Sequence, residues 1–569
     1  MTVYTRFFPS LVAIASLWAL SLGSTALAQS TPGAGQLLQQ MPQQPLDVPS
    51  QDLDLNMLQA PEVQAPESTP FAVQHIEITG NTLLPDEQLR ALVAGSEGKR
   101  LTLADLYALA AQISAAYHDA GYPLARAYVP AQTIEDGRVR IAVAEARYGE
   151  VSLSNKSRVR DRKLKETLAP VHAGEPVYNP TLERSLLLLS DIPGVGVSSV
   201  IRPGAAVGTS DLDVSVVETP LYSGTIALDD YGNNATGVGR LSGTLNINSP
   251  FRYGDRISLG GVTSGGGLNY FSAQYRSLLN GQGTTLDVGG SWMRYKLGHG
   301  FGHPSSLKAL DATGGAGTGY VALTHPFIRA TRGNLYGQVK YEYRRLKDDL
   351  GSVGIHDRRN VSALSLTLAG DRRDSRGVTN FRVSGTFGKL HYRDPVYKII
   401  DQATVDTAGS YGVGRASVSR LQRLADHHAI YAGYTFQFGA SRNLDPSEQF
   451  YLGGPTTVRG LRPGVLSGST GGVATLEYRY DWRTEKLPGL WQASAFLDTG
   501  HVKPYKNNPV PGSRNSAHVS SVGLGLNWYG ANDWVLSAAV ARRIGSKPEL
   551  LAGQNTRTRV WVQLRKGFN

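Results

Sequence analysis

Arg459 is the side chain around which most of the chemistry of this sequence can be organised. It stands in "YLGGPTTVRGLRPG", Tyr451 to Gly464, a stretch too rich in glycine and proline for a strand and too apolar for an idle surface loop. Glycines such as Gly453, Gly454 and Gly460 let a backbone turn sharply and approach a wall closely. A guanidinium on such a loop needs a carboxylate wherever water is scarce, because an unpaired charge in a confined space is costly. The two planar groups can pair through parallel hydrogen bonds. "AFLDTGH" offers Asp498, while "GGVATLEYRYDW" offers Glu477 and Asp481 as rivals. Alternation along "WQASAFLDTG" puts Trp491, Ala493, Ala495 and Leu497 on one face and Gln492, Ser494, Phe496 and Asp498 on the other.

Other residue groups promise less chemistry. The chain has no cysteine, which removes disulfides, thiolate nucleophiles and thiolate metal sites together. It has neither HExxH nor GxSxG, and no GxxxxGK[ST] phosphate loop. "GGAGTG" near Gly314 lacks the phosphate-loop lysine and reads as a flexible turn. The adjacent histidines of "DHHA", Asp426 to Ala429, would point to opposite faces of a strand and read as rim residues. No enzyme, metal or cofactor is expected. A formal charge of +11 suits nucleic acid, anionic lipid or a charged pore. Without a Lys/Arg run interleaved with aromatics, nucleic acid is the weakest of the three.

The elements that must position Arg459 lie in residues 220–569. Short alternating segments recur there, separated by Gly, Asn, Asp and Pro. About sixteen can be counted, beginning near Tyr222, Val238, Asp255, Leu268, Thr284, Gly317, Asn334, Val361, Asn380, Tyr411, His428, Gly472, Trp491, His518, Trp534 and Val560. One face of each is apolar with aromatic ends, and the other carries Arg, Glu and Asp. Strands of about ten residues suffice to cross a bilayer at a tilt. Strands can pair every backbone group in lipid only as a closed sheet. A membrane β-barrel is therefore expected, rather than a soluble sandwich. With the N-terminus on the inner side, odd-numbered strands run outward. The Arg459 stretch then belongs to the sixth external loop, 450–471, folded back into the lumen.

The preceding regions fit an exported chain. Arg6, the apolar run "LVAIASLWALSL" and "ALA" before Gln29 form a secretory signal over 1–28. Residues 29–70 are Gln- and Pro-rich and read as a linker, in which "AGQLLQQM" could form a short helix before Pro42. Residues 71–219 repeat one β-α-α-β-β plan, over 71–147 and 148–219. In the first copy, Leu103, Leu106, Tyr107, Ala110, Ile113 and Tyr117 share one helical face, with Thr102 as cap and Gly121 as stop.

These motifs carry a family resemblance. "FYLGGPTTVRGL" resembles the VRG(F/Y) signature of POTRA-plus-barrel transporters, and "FLDTG" their F-x-D-x-G strand motif. "AYHDAGYPLARAYVPAQTIEDGRVRIAVAEA" resembles the first POTRA domain of the ShlB/FhaC/HecB family, the TpsB outer-membrane transporters of two-partner secretion. The resemblance implies a 16-stranded barrel behind two α+β POTRA domains in the outer membrane of a Gram-negative bacterium. It implies that Arg459 and Asp498 pair to anchor the inward loop, with Val458, Gly460, Gly453, Gly454, Phe496 and Gly500 completing the two motifs. Tyr117, Gly121, Tyr122 and Pro130 are the POTRA residues expected to meet cargo, and "AGQLLQQM" is the candidate pore plug. The implied partners are a secreted exoprotein (adhesin, haemolysin or haem-acquisition protein), outer-membrane lipid and lipopolysaccharide, and the barrel-assembly machinery, with the transporter itself a monomer. A barrel-assembly insertase and a diffusion porin with periplasmic domains are the alternatives. The sequence departs from the family pattern at Leu461, where an aromatic is usual, and at Asn569, which follows the usual terminal aromatic, here Phe568.

Overall fold

The computed structural model describes residues 31–42, 55–57, 68–302, 305–484, 487–551 and 556–569. The secretory signal lies outside the described residues. The two POTRA units follow the repeated plan. In the first, strands His75–Thr79, Arg138–Ala144 and Arg126–Tyr128 form a three-stranded sheet, backed by helices Asp86–Val93 and Leu103–Asp119. Thr102 and Asp105 form a reciprocal capping box on the longer helix. Its buried face is Leu106, Leu109, Ala110, Ile113 and Tyr117, so Leu109 joins the core where the helical spacing suggested Leu103 and Tyr107. In the second unit, Arg147–Lys156, Val195–Pro203 and Thr209–Glu218 pack on helices Asp161–Leu168 and Asn179–Ser190. Leu55–Met57, from the linker, adds a parallel strand to the edge at Val195–Pro203.

Among the described residues, sixteen antiparallel strands close into a barrel, the last (Thr558–Phe568) pairing with the first (Tyr222–Asp229). The period-2 pattern holds around the wall. On the seventh strand, Gly333–Leu350, Val339 and Tyr341 are exposed outside while Arg344 and Leu346 are buried inside. Two sequence readings need correction. Strands six to ten run from 16 to 20 residues, well beyond ten, because their outer ends enclose the contents of the lumen. "GGAGTG" is no turn. It lies within the sixth strand, Ala312–Ala330, paired on both sides. The "DHHA" histidines do sit at a rim: His427 is in the turn after the tenth strand, and His428 opens the eleventh against Tyr478 and Tyr480.

The second POTRA unit is docked on the barrel's inner turns. Asp191 accepts from Arg329 Nε and Nη2 at 2.8 and 2.7 Å. Arg160 donates to the Tyr253 hydroxyl at 2.7 Å and lies over its ring. Ile192 and Leu188 press on Gly254 and Gly283, where any Cβ would collide with them. These turns join even to odd strands, so the opposite, external end carries the loop between the eleventh and twelfth strands.

Candidate functional site in the lumen

That loop, 439–469, joins His428–Phe438 to Thr470–Thr484 and turns into the barrel. Contrary to the glycine-and-proline reading, it contains a small hairpin, Phe450–Leu452 with Leu466–Gly468. Gly453 and Gly454 follow with φ of 104° and 107°, and a Cβ on Gly453 would lie 2.0 Å from the Arg462 carbonyl oxygen. Only glycine fits that turn.

Arg459 stands at the tip. Its Nε and Nη2 donate to Asp498 Oδ2 and Oδ1 at 2.9 and 2.8 Å, and its backbone amide donates to Oδ2 at 3.1 Å. Its Nη1 donates to Glu477 Oε2 at 2.7 Å. The rivalry read from the sequence resolves into a shared cation: Asp498 and Glu477 both take it, while Asp481 accepts from Gln492. The Phe496 ring lies beneath the guanidinium, 3.2 Å from centroid to Cζ. Arg479 Nε, on Glu477 Oε1 at 2.8 Å, completes two cations against two carboxylates. Asp498 is fully buried and also accepts from Thr475 Oγ1 at 3.0 Å. Such a buried pair is secure only when its remaining hydrogen bonds are satisfied.

The other motif residues make room for this contact. Gly460 passes so close to the wall that a Cβ would lie 2.7 Å from Ser521 Cβ, and its amide donates to Ser521 Oγ. Gly500 plays the same part on the thirteenth strand, Leu487–Lys503, facing Leu452 and Val458. Val458 and Leu461 are buried with Leu452, Leu466, Val473 and Val519. The leucine at 461 thus fills an aliphatic pocket under the tip. Trp561 on the last strand donates Nε1–H to the Arg459 carbonyl at 2.8 Å. Sequence reasoning passed over Trp561, although it alternates with outward Val560 and Val562.

A second anchor, also missed, holds the loop's base. Glu448 is buried among Arg344, Arg415 Nη2 (3.1 Å) and the Tyr411 hydroxyl (2.8 Å). Its carbonyl accepts from Gln437 Nε2 at 3.0 Å, and Asp445 lies 3.4 Å from Arg359 Nε. The available signal was an acid in "DPSEQF" matched by lumen-facing arginines.

Residues Ala34–Gln39 form a helix beside this base, inside the barrel. A helix this short is marginal alone. Its Ala34 amide donates to Asp348 Oδ1 at 2.7 Å, and Gln36 Nε2 to the Gly464 carbonyl at 2.6 Å. Leu37, Leu38 and Met41 are buried against lumenal Met293, Leu346, Val361, Leu390 and Tyr411. Below it lies a cavity of about 520 Å³ lined by Arg276, Asp287, Lys340, Glu342 and Arg382. The external half of the lumen is thus filled, by apolar clusters and buried ion pairs, and the lower half is open and charged.

In the POTRA units the expected cargo contacts divide. Tyr117 is wholly buried, its hydroxyl on Glu145 Oε1 at 2.8 Å, so the expectation that it meets cargo fails. Burial raises its pKa, as does the neighbouring carboxylate. Burial pushes Glu145 up as well, but donations from Thr82, Leu83 and Tyr117 outweigh this and hold it low. Gly121, at φ 95°, and Tyr122 face Tyr178 at the joint between the two units, with the rings 5.3 Å apart. Pro130 is half-buried after the edge strand Arg126–Tyr128.

Comparison with known proteins agrees with this architecture. Residues 71–146 match the ShlB-type POTRA domain. The chain is 27% identical to the heme/hemopexin transporter protein HuxB of Haemophilus influenzae strain 86-028NP, over 98% of this chain and 99% of that one. It is 25% identical to the outer membrane transporter CdiB of Escherichia coli, over 88% and 87%. Two solved structures share the fold across 98% of both chains: CdiB from E. coli, TM-score 0.69 at 20% identity, and CdiB from Acinetobacter baumannii, 0.60 at 17%. Residues 208–528, more than half of the chain, match the haemolysin secretion/activation protein family ShlB/FhaC/HecB, and the chain belongs to that family of outer-membrane two-partner secretion transporters.

Proposed function

We propose that this transporter captures an unfolded exoprotein on its periplasmic domains and passes it through the barrel once loop 439–469 and helix 34–39 are displaced. The observation that carries this reading is the filled external half of the lumen. Both fillers are held to the wall by side-chain contacts and belong to none of the sixteen strands, so they can leave with the barrel intact. The lower cavity, charged with both signs, suits an extended chain in transit. With no phosphate loop in the sequence, export is driven by folding of the cargo outside.

Extended cargo can add to sheet edges through main-chain hydrogen bonds. One edge is taken, because the linker strand Leu55–Met57 lies on Val195–Pro203. In the first unit, Arg126–Tyr128 remains an edge, with Tyr128 49% exposed, beside Pro130, while Gly121 and Tyr122 set the angle of the joint. Cargo that claims the Val195–Pro203 edge must expel the linker strand, which loosens the tether between helix and POTRA units. The cargo is an exoprotein of the adhesin, haemolysin or haem-acquisition kind, and the name of the heme/hemopexin transporter HuxB lends support to the last of these.

A disulfide tests this reading in a chain with no native cysteine. Asn56→Cys with Val200→Cys joins paired positions of the two strands. Oxidised, the variant is expected to stop exporting, with recovery on reduction. Undiminished export by the oxidised protein would remove the linker strand from the mechanism.

A further inference from the structure

The glycine run "GGAGTG" is no loop; Ala316 and Thr318 face the lumen, and its outward face forms a site of its own. Gly315, Gly317 and Gly319 alternate to the outside of the sixth strand, and a Cβ on Gly317 or Gly319 would meet nothing within 4 Å. A trench of about 1010 Å³ opens there between the fifth strand, Thr285–Lys296, and the seventh. Pairing lines its walls up across the sheet: Arg294 with Gly315, Gly315 with Lys347, Lys347 with Arg358, and Gly317 with Arg345. Lys296 and Arg393 complete six cations around it.

One carboxylate answers them. Asp349 pairs with Lys347 at 2.9 Å and Arg358 at 2.7 Å. Among the described residues, no ion pair engages Arg294, Lys296, Arg345 or Arg393. Arg294 and Arg345 lie instead over the rings of Trp292 and Tyr343. The depth of the trench is set by the seventh strand. Outward residues run Leu335, Gly337, Val339, Tyr341 and Tyr343 before the first cation, Arg345. Ten residues at about 3.3 Å each, tilted by about 40°, rise about 25 Å, the height of an outer-membrane apolar band. The cations therefore begin where hydrocarbon ends, at the end of the barrel opposite the POTRA units.

We infer that this trench binds a phosphorylated glycolipid of the outer leaflet, of the lipid A type. The arginines and lysines take its phosphates, and the glycine floor admits the sugar and the start of an acyl chain. Guanidinium groups match phosphate geometry through paired hydrogen bonds. Apolar residues directly below distinguish a lipid from a soluble anion.

The test uses full-length, delipidated transporter in detergent, with bound lipid read by native mass spectrometry. The probes are diphosphorylated lipid A, the same lipid stripped of phosphate, and inorganic phosphate. Diphosphorylated lipid A is expected to bind at least tenfold more tightly than the stripped lipid. Arg345→Gln with Lys347→Gln should remove most of that preference. Gly317→Leu, which fills the trench without removing a charge, should weaken binding as well. Arg542→Gln, an outward cation across the barrel, should change little. Equal affinity for both lipids, or equal effects of Arg542→Gln and the trench variants, would overturn the site. Competition by inorganic phosphate at equal concentration would make it a free-anion site and overturn the lipid assignment.

Discussion

The tip and base of the inward loop are both held by buried arginine–carboxylate pairs, but the charges are dealt in opposite ways. At the tip the loop supplies the cation, Arg459, and the wall supplies Asp498 and Glu477. At the base the loop supplies the anion, Glu448, and the wall supplies Arg344 and Arg415. The tip is closely packed around its pair: two glycines give the loop close access, Phe496 covers the guanidinium, and an aliphatic cluster lines the pocket. The base is a network that also reaches the lumenal helix, through Ser447, whose carbonyl accepts from both Arg344 and Gln39. The tip therefore fixes where the loop is, and the base links loop position to helix position.

The largest effect is expected at the tip. Arg459→Ala leaves Asp498 buried without its cation, a loss of about 3–5 kcal/mol for such a pair. Export should be abolished or sharply reduced while the barrel still reaches the outer membrane, as read by secretion and fractionation. Arg459→Lys should recover little, because one ammonium cannot reproduce the bonds to Asp498 and Glu477 together. Arg459→Ala with Asp498→Ala should be little worse than either alone, and fully additive losses would dissolve the pairing.

At the base, Glu448→Gln keeps the shape and removes the charge that offsets Arg344 and Arg415. Because these residues also hold the helix side of the lumen, the expected result is higher ion conductance in planar bilayers, with export reduced less than by Arg459→Ala. Leu37→Asp attacks the helix directly. A carboxylate set among Leu346, Val361 and Tyr411 should expel it and raise conductance without loss of barrel assembly. Unchanged conductance in both variants would separate the base from the helix.

The two anchors were not equally legible in the sequence. The tip could be read because glycines, an arginine and a strand aspartate sit in compact, recognisable spacings. Period-2 alternation then placed Asp498 inside. The barrel, its strand number and the repeated POTRA plan were legible for the same reason, since each rests on local periodicity. The base was hidden because Glu448, Arg344 and Arg415 come from three distant segments whose meeting depends on barrel closure. Strand lengths failed where lumenal filling, rather than membrane thickness, sets them. Tyr117 failed because an aromatic on a helical face is core before it is surface, as its burial beside Glu145 shows.

The smallest expected effect concerns Trp561, which ties the tip to the last strand and so to the seam that closes the barrel. Its Nε1–H bond to the Arg459 carbonyl is the only part of the contact that Trp561→Phe removes outright; most of the ring's packing, including its edge contact with Tyr231, can persist. One neutral hydrogen bond is worth about 1 kcal/mol. The variant should therefore lower thermal stability slightly and leave export near normal. Combined with Arg459→Ala it should add nothing further to the export defect, because a tip released from Asp498 no longer holds its carbonyl against the indole. If Trp561→Phe alone matched Arg459→Ala in secretion, the guanidinium would cease to be the principal anchor, and the contact with the closing strand would take its place.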